Sequence, residues 1–137
     1  NFSYLDISNS GISGTIPMWF WDLSPALLYL NLSSNQISGT LPDLSLKFVD
    51  YPGIDLSSNT FEGPVPALPS NISSLNLSKN KFSGTLSFLC ALTGRTLDYV
   101  DLSDNLFFGN IPNCLMQWKT LVILNLANNK LSGKIPS

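Results

Sequence analysis

The chain contains no histidine. That removes the commonest general base, the commonest neutral metal ligand and the usual partner of a nucleophilic serine. Charge is scarce too. Asp, Glu, Lys and Arg make up 12% of the 137 residues, about half the ~25% of an average soluble domain. The seven basic residues form no cluster, and a nucleic-acid face needs a basic stripe. No run approaches the ~18 consecutive apolar residues of a membrane-spanning helix. The opening NFSYLDIS has neither the basic nor the apolar region of a leader peptide. Apolar residues make up 44% of the chain, enough to form a core for about one domain.

What the chain has is a repeat. Pairs of apolar residues in an L-x-L pattern begin at Leu5, Leu30, Ile54, Leu75, Val100 and Leu124. The second members are Ile7, Leu32, Leu56, Leu77, Leu102 and Leu126. Then comes Asn35, Asn59, Asn80, Asn105 or Asn129, with Ser10 in the first copy. A third apolar residue follows (Ile12, Ile37, Phe61, Phe82, Phe107, Leu131), and two residues later a glycine: Gly14, Gly39, Gly63, Gly84, Gly109 or Gly133. An apolar–Pro pair closes five of the six copies; the fourth has Leu86–Ser87 instead. Three residues before each L-x-L stands Phe2, Leu27, Tyr51, Ile72, Leu97 or Leu121. Composition alone would not align the glycine column.

Each position has a physical task. Alternation predicts a short strand with one buried face. The Asn marks where the backbone leaves the sheet and still needs hydrogen bonds; its amide both donates and accepts. Stacked Asn side chains are expected to form a ladder from Asn35 through Asn59, Asn80 and Asn105 to Asn129. Glycine suits a bend or a close approach between coils, and proline suits a strand end. One copy cannot close a core; stacked copies can.

The string L-x-x-L-x-L-x-x-N-x-L-S-G-x-I-P resembles the plant-type extracellular leucine-rich repeat. The runs TIPMWFWDLS and IPNCL are most similar to ectodomains of membrane-anchored receptor-like proteins. The resemblance covers the whole chain, 1–137. It implies an α/β-class repeat solenoid: a right-handed coil with a parallel concave β-sheet, a second short sheet at the G-x-I-P tail, and 3-10 or irregular outer turns. Strands are expected near 3–8, 28–33, 52–57, 73–78, 98–103 and 122–127. The spacing from Ile54 to Leu75 is short, and VPALPSNISSL is expected to run extended there, without a helical turn. Neither end carries a polar or disulfide-bonded cap, so the chain reads as an internal slice of a longer protein or as a unit whose ends meet copies of itself.

Cys90 and Cys114 each lie ten residues before an L-x-L pair, so they share a register in consecutive coils. Stacking puts them close enough for a disulfide; two buried free thiols are the alternative. Asn1, Asn31, Asn71 and Asn76 begin N-x-Ser sequons. Together these features favour an oxidising, secretory compartment, with N-linked glycans and no cofactor. Asn71 precedes its strand and is the most natural glycan site. Asn31 and Asn76 fall on the exposed sheet face, where a glycan would cover it.

Three outward columns are expected along the sheet: Tyr4, Tyr29, Gly53, Ser74, Tyr99 and Ile123; Asp6, Asn31, Asp55, Asn76, Asp101 and Asn125; and Ser8, Ser33, Ser57, Ser78, Ser103 and Ala127. Of these, Tyr4, Asp6, Tyr29, Asn31, Asp55, Asn76, Tyr99, Asp101 and Asn125 form the candidate binding face. Tyrosine offers large contact area at small entropic cost, against a purely structural role in pairing strands. In the WFW run, Phe20 is expected in the core, with Trp19 and Trp21 beside it; Trp118 is expected in the core as well.

Catalysis is not expected. The carboxylates of Asp6, Asp55 and Asp101 stand ~10 Å apart on a flat array, which makes no acid–base pair. The resemblance implies instead a recognition module for an extracellular protein, peptide or cell-wall-derived carbohydrate, with a co-receptor kinase serving the parent protein and a role in defence signalling. The alternative is a building block that stacks head-to-tail into a filament. A surface-binding Thr array is broken, because Thr15, Thr40 and Thr85 give way to Pro64, Asn110 and Lys134.

Overall fold

The computed structural model describes residues 2–23, 27–92 and 96–137. Among the described residues, twelve short strands alternate between two faces of a coil. Six of them, β1 (Tyr4–Asp6), β3 (Tyr29–Asn31), β5 (Gly53–Asp55), β7 (Ser74–Asn76), β9 (Tyr99–Asp101) and β11 (Ile123–Asn125), form one parallel sheet in chain order. The register is that of the repeat: Leu5 pairs with Leu30, Leu30 with Ile54, Ile54 with Leu75, Leu75 with Val100 and Val100 with Leu124.

These strands are half as long as the six-residue windows of the repeat. Two local features end them. The side-chain oxygen of the last strand residue accepts the N–H two residues on, as Asp55 Oδ1 does from Ser57 N at 3.0 Å. One residue later the backbone turns left-handed: Asn9, Ser34, Ser58, Lys79, Asp104 and Asn128 all have φ between 48° and 58°. Hydrogen bonding between coils nevertheless continues into the turn, as from Leu56 N to Asn76 O (2.8 Å) and from Ser58 N to Ser78 O (2.9 Å).

The recurring Asn closes that turn. Asn80 Nδ2 donates to Leu56 O at 2.9 Å, and to Leu77 O and Ser78 O of its own coil at 3.2 Å. Its Oδ1 accepts from Phe61 N at 3.0 Å. Asn59 and Asn105 repeat the pattern, and Asn35 and Asn129 do so at the less buried outer coils. The rungs of this ladder run from side chain to backbone, binding each coil to the one before it. The expected Asn-to-Asn stacking is not what joins them, because the amide is spent on backbone groups that have left the sheet.

A second set of strands lies across the coil: β2 (Ser13–Thr15), β4 (Gln36–Gly39), β6 (Thr60–Pro64) and β8 (Lys81–Ser83) form one parallel sheet, and β10 (Phe108–Gly109) pairs with β12 (Lys130–Leu131). These strands sit ahead of the expected place. Apart from β12, which ends at Leu131, they run up to or just past the recurring glycine and stop before the apolar–Pro pair, whose proline has no N–H to give a neighbour. Between β8 and β10 the pairing lapses, although Leu106 N still reaches Phe82 O and Phe108 N reaches Gly84 O. This is the copy without its proline.

The glycine column earns its residue type at Gly63, where φ is +82° and an added Cβ would stand 3.0 Å from Thr40 Cγ2. Gly14 has nearly the same φ, +85°, but open space around it. We expect Gly63→Ala to cost about 1–2 kcal/mol from the left-handed backbone plus the contact, and Gly14→Ala the backbone part alone. Thermal unfolding of both variants separates the two contributions.

Outer turns are 3-10 helices at Met18–Asp22, Leu86–Ala91 and Asn113–Gln117. The short third coil has neither helix nor strand from Val65 to Pro69, with Leu68 and Pro69 turned inward. Cys90 and Cys114 are joined in a disulfide between the fourth and fifth coils, with a Cα separation of 5.6 Å. It staples the stack where the second sheet lapses. Closing a loop of 24 residues' separation is worth about 3 kcal/mol on chain-entropy grounds. Cys90→Ser with Cys114→Ser is therefore expected to lower unfolding free energy by about 2–4 kcal/mol, read by urea titration.

The core fills the coil interior: Leu30, Ile54, Leu75 and Val100 are at most 1% exposed. Two side-chain placements differ from expectation, and a third breaks its column. Trp21, not Phe20, is the buried ring of the first outer turn; Phe20 stands edge-on to it at 5.4 Å and is partly buried, while Trp19 is exposed. Trp118 only leans on the core. Tyr51 points to solvent, because Pro52 and Gly53 are the buried residues of that step.

Candidate ligand-binding face

The exposed side of the six-stranded sheet has two usable columns, not three. Ser33, Ser78 and Ser103 are buried. The hydroxyls of Ser57, Ser78 and Ser103 fold back to donate to Asp55, Asn76 and Asp101 at 2.6–2.8 Å. They belong to the turn rather than to a ligand.

The middle column does both jobs. In every coil the Oδ1 of Asp6, Asn31, Asp55, Asn76, Asp101 or Asn125 accepts the N–H two residues on, at 2.9–3.1 Å. The Asp/Asn alternation is thus interchangeable for folding, since either side chain supplies this oxygen. Only the second terminal atom is available to a partner. At Asp6 the Ser8 hydroxyl and then the Ser8 N–H hold the carboxyl below its usual range.

The first column carries the aromatic rings. Tyr4 is 69% exposed, and its ring lies 4.9 Å from that of Tyr29, tilted by 34°. Gly53 interrupts the column. It is buried, because Tyr29 and Ser74 close over it; an added Cβ would meet Ser74 Oγ at 2.9 Å and Tyr29 Cδ1 at 3.2 Å. Tyr99 begins a second patch beside Ile123, and its hydroxyl reaches Asp101 Oδ2 at 3.4 Å. Burial, and then the charge of Asp55 beside Tyr29 and of Asp101 beside Tyr99, raise both phenols above their ordinary value. Near neutral pH the face therefore presents neutral phenols beside carboxylates.

Of the sequons, Asn31 and Asn76 are half-buried on this face; Asn71 is half-buried in the turn before β7. Asn1 lies outside the described residues. Among the described residues no group of His, Cys, Asp or Glu is placed to hold a metal, and no helix is long and apolar enough to cross a membrane.

A stack of parallel strands, one per coil, stitched by recurring Asn amides, defines a leucine-rich solenoid. Residues 1–23, 26–48, 71–92, 96–118 and 120–137 match the Leucine Rich Repeat family, and the chain belongs to it. The unmatched stretch 49–70 contains the third outer turn. The chain is 46% identical over 125 residues to Receptor-like protein EIX2 of Solanum lycopersicum, covering 91% of this chain and 12% of that one. It therefore spans about an eighth of that relative. Among solved structures, it resembles the Arabidopsis receptor kinase HAESA, solved with the peptide hormone IDA and the co-receptor SERK1 (TM-score 0.80, 37% identity, 96% of this chain, 22% of that one). It also resembles the ectodomain of the Arabidopsis receptor kinase SOBIR1 (TM-score 0.82, 31% identity, 96% and 72%). The repeats are those of plant receptor-like proteins.

Proposed function

We propose that this chain is an extracellular recognition module of a plant receptor-like protein and binds a peptide or protein segment on the six-stranded sheet. The observation that carries this is the sheet face itself. A backbone fixed by two bonding systems holds an exposed Tyr4 against a half-buried Tyr29, ring centroids 4.9 Å apart. The peptide hormone and co-receptor solved with HAESA support a peptide ligand and a co-receptor kinase as the parent protein's partners. The Cys90–Cys114 bridge and the sequons support a secretory route, with the parent anchored at the plasma membrane and a glycan on Asn71.

Peptides selected from a display library provide the test. Hydrogen exchange should show protection on Tyr4–Asp6, Tyr29–Asn31 and Tyr99–Asp101. Tyr29→Ala should weaken binding about tenfold, the scale of an interface aromatic, whereas Trp19→Ala on the outer turn should leave it unchanged. Protection confined to the outer turns would refute the proposal, and so would a glycan on Asn31 found by mass spectrometry, since it would cover the face.

A further inference from the structure

The sheet face has a charge pattern with a definite period. Across its outward columns there are three carboxylates, Asp6, Asp55 and Asp101, and no Lys or Arg. They stand on the first, third and fifth coils. Each commits Oδ1 to its own turn. The Asp6 carboxyl is bonded only within its own turn, to Ser8; Asp55 Oδ2 holds no hydrogen bond among the described residues, and that of Asp101 has only the 3.4 Å contact from Tyr99. Beside them runs the aromatic column of Tyr4, Tyr29 and Tyr99. A partner complementary to this face is cationic and has something to lay on aromatic rings.

The spacing narrows the partner's conformation. Coils joined by β-pairing rise ~4.8 Å each, so the carboxylates recur every ~9.6 Å along the stack. A polyproline-II segment turns once in three residues of ~3.1 Å, or ~9.3 Å, and returns every third side chain to the same edge. The mismatch over two intervals is ~0.6 Å. A β-strand covers a similar distance in three residues, but residues i and i+3 then point to opposite faces. An α-helix matches only at seven residues, ~10.5 Å, and drifts by ~1.8 Å over the same span. Proline rings are also the usual guests of tyrosine-lined surfaces.

We infer that the segment bound along this face is a cationic polyproline-II peptide with Lys or Arg at every third position, lying along the stack from the first coil to the fifth. This rests on the sheet being the binding face, as proposed above.

The test uses synthetic peptides and fluorescence anisotropy at several salt concentrations. (Lys-Pro-Pro)3 should bind, and added salt should weaken it. (Glu-Pro-Pro)3 should not bind. A peptide of the same composition with its three lysines clustered at one end should bind about fivefold more weakly, as should flexible (Lys-Gly-Gly)3. Asp55→Asn should weaken (Lys-Pro-Pro)3 about fivefold, the scale of one exposed ion pair near 1 kcal/mol. The variant will fold, because Asn31 and Asn76 already fill the same position in neighbouring coils with the same Oδ1 bond. Equal binding of the clustered peptide, or an unchanged Asp55→Asn, would overturn the inference. Library peptides that protect the sheet in hydrogen exchange but lack basic residues three apart would also overturn it, while leaving the sheet as the binding face. Protection by (Lys-Pro-Pro)3 on the outer turns alone would sink both.

Discussion

Asn80→Ala is expected to cost about 3–5 kcal/mol. Asn80 is 9% exposed, and its one amide serves four backbone groups: the carbonyls of Leu56, Leu77 and Ser78 and the N–H of Phe61. Alanine offers none of them a partner, and each buried group left unsatisfied costs about 1–3 kcal/mol. The loss falls on one interface, between the third and fourth coils. Because a solenoid is held by nearest-neighbour contacts, unfolding of the variant should lose cooperativity and part at that interface. The same change at Asn129 should cost about 1–2 kcal/mol, since its contact with Ala127 is exposed and water can replace part of what is lost. Urea titration followed by circular dichroism measures both. A cost at Asn80 no greater than at Asn129 would mean that the amide only fills space.

Asn80→Asp sharpens the point through pH. It keeps the acceptor for Phe61 N but turns two donors into a carboxylate facing carbonyl oxygens. Burial and those oxygens would raise its pKa in the folded state above the ~3.9 of an unfolded Asp. The sign follows from proton uptake. Above pH ~3.9 the folded state binds the proton more tightly than the unfolded one, so stability falls as pH rises. The variant should therefore recover stability on acidification, whereas Asn80→Ala should not.

The period of the repeat shows where the strands lie, which residues fill the core and which coils the cysteines join, because each depends on spacing alone. The third column was not legible. Ser33, Ser78 and Ser103 alternate with core residues and read as outward. Yet the turn that begins at Asp or Asn pulls the serine N–H groups, and in two of the three cases the hydroxyl as well, back onto the preceding side chain. A sequon-like N-x-S or D-x-S after an apolar residue carries that information once it is read as a turn. Gly53 was not legible either: it reads as a blank in the tyrosine column, but the space it leaves is taken by Tyr29 and Ser74. Nor was the choice among Trp19, Phe20 and Trp21. Over a single 3-10 turn, periodicity cannot separate adjacent aromatic residues, and only the neighbouring coil decides which of them is covered.

The second large effect is expected at Phe82. Its ring is fully buried and lies parallel, within 9°, to Phe61 at 5.9 Å and to Phe107 at 6.5 Å. Phe82→Ala removes the middle ring of this column and leaves a cavity that neighbouring coils cannot collapse into, because strand pairing holds their rise near ~4.8 Å. A cost of about 3–5 kcal/mol follows. Phe82→Leu should cost only about 1–2 kcal/mol; the same position holds Ile12, Ile37 and Leu131 in other coils, so the coil accommodates an aliphatic side chain there. The stacking contribution itself is separable. Phe61→Leu, Phe82→Leu and the double variant form a cycle whose coupling should be about 0.5–1.5 kcal/mol, the worth of an aromatic pair beyond its buried area. Phe61→Leu with Phe107→Leu supplies the comparison, because those rings are two coils apart and meet only through Phe82, so their coupling should be smaller than that of Phe61 with Phe82. Coupling as large between Phe61 and Phe107 as between Phe61 and Phe82 would show that volume, not ring contact, sets the stability of this column.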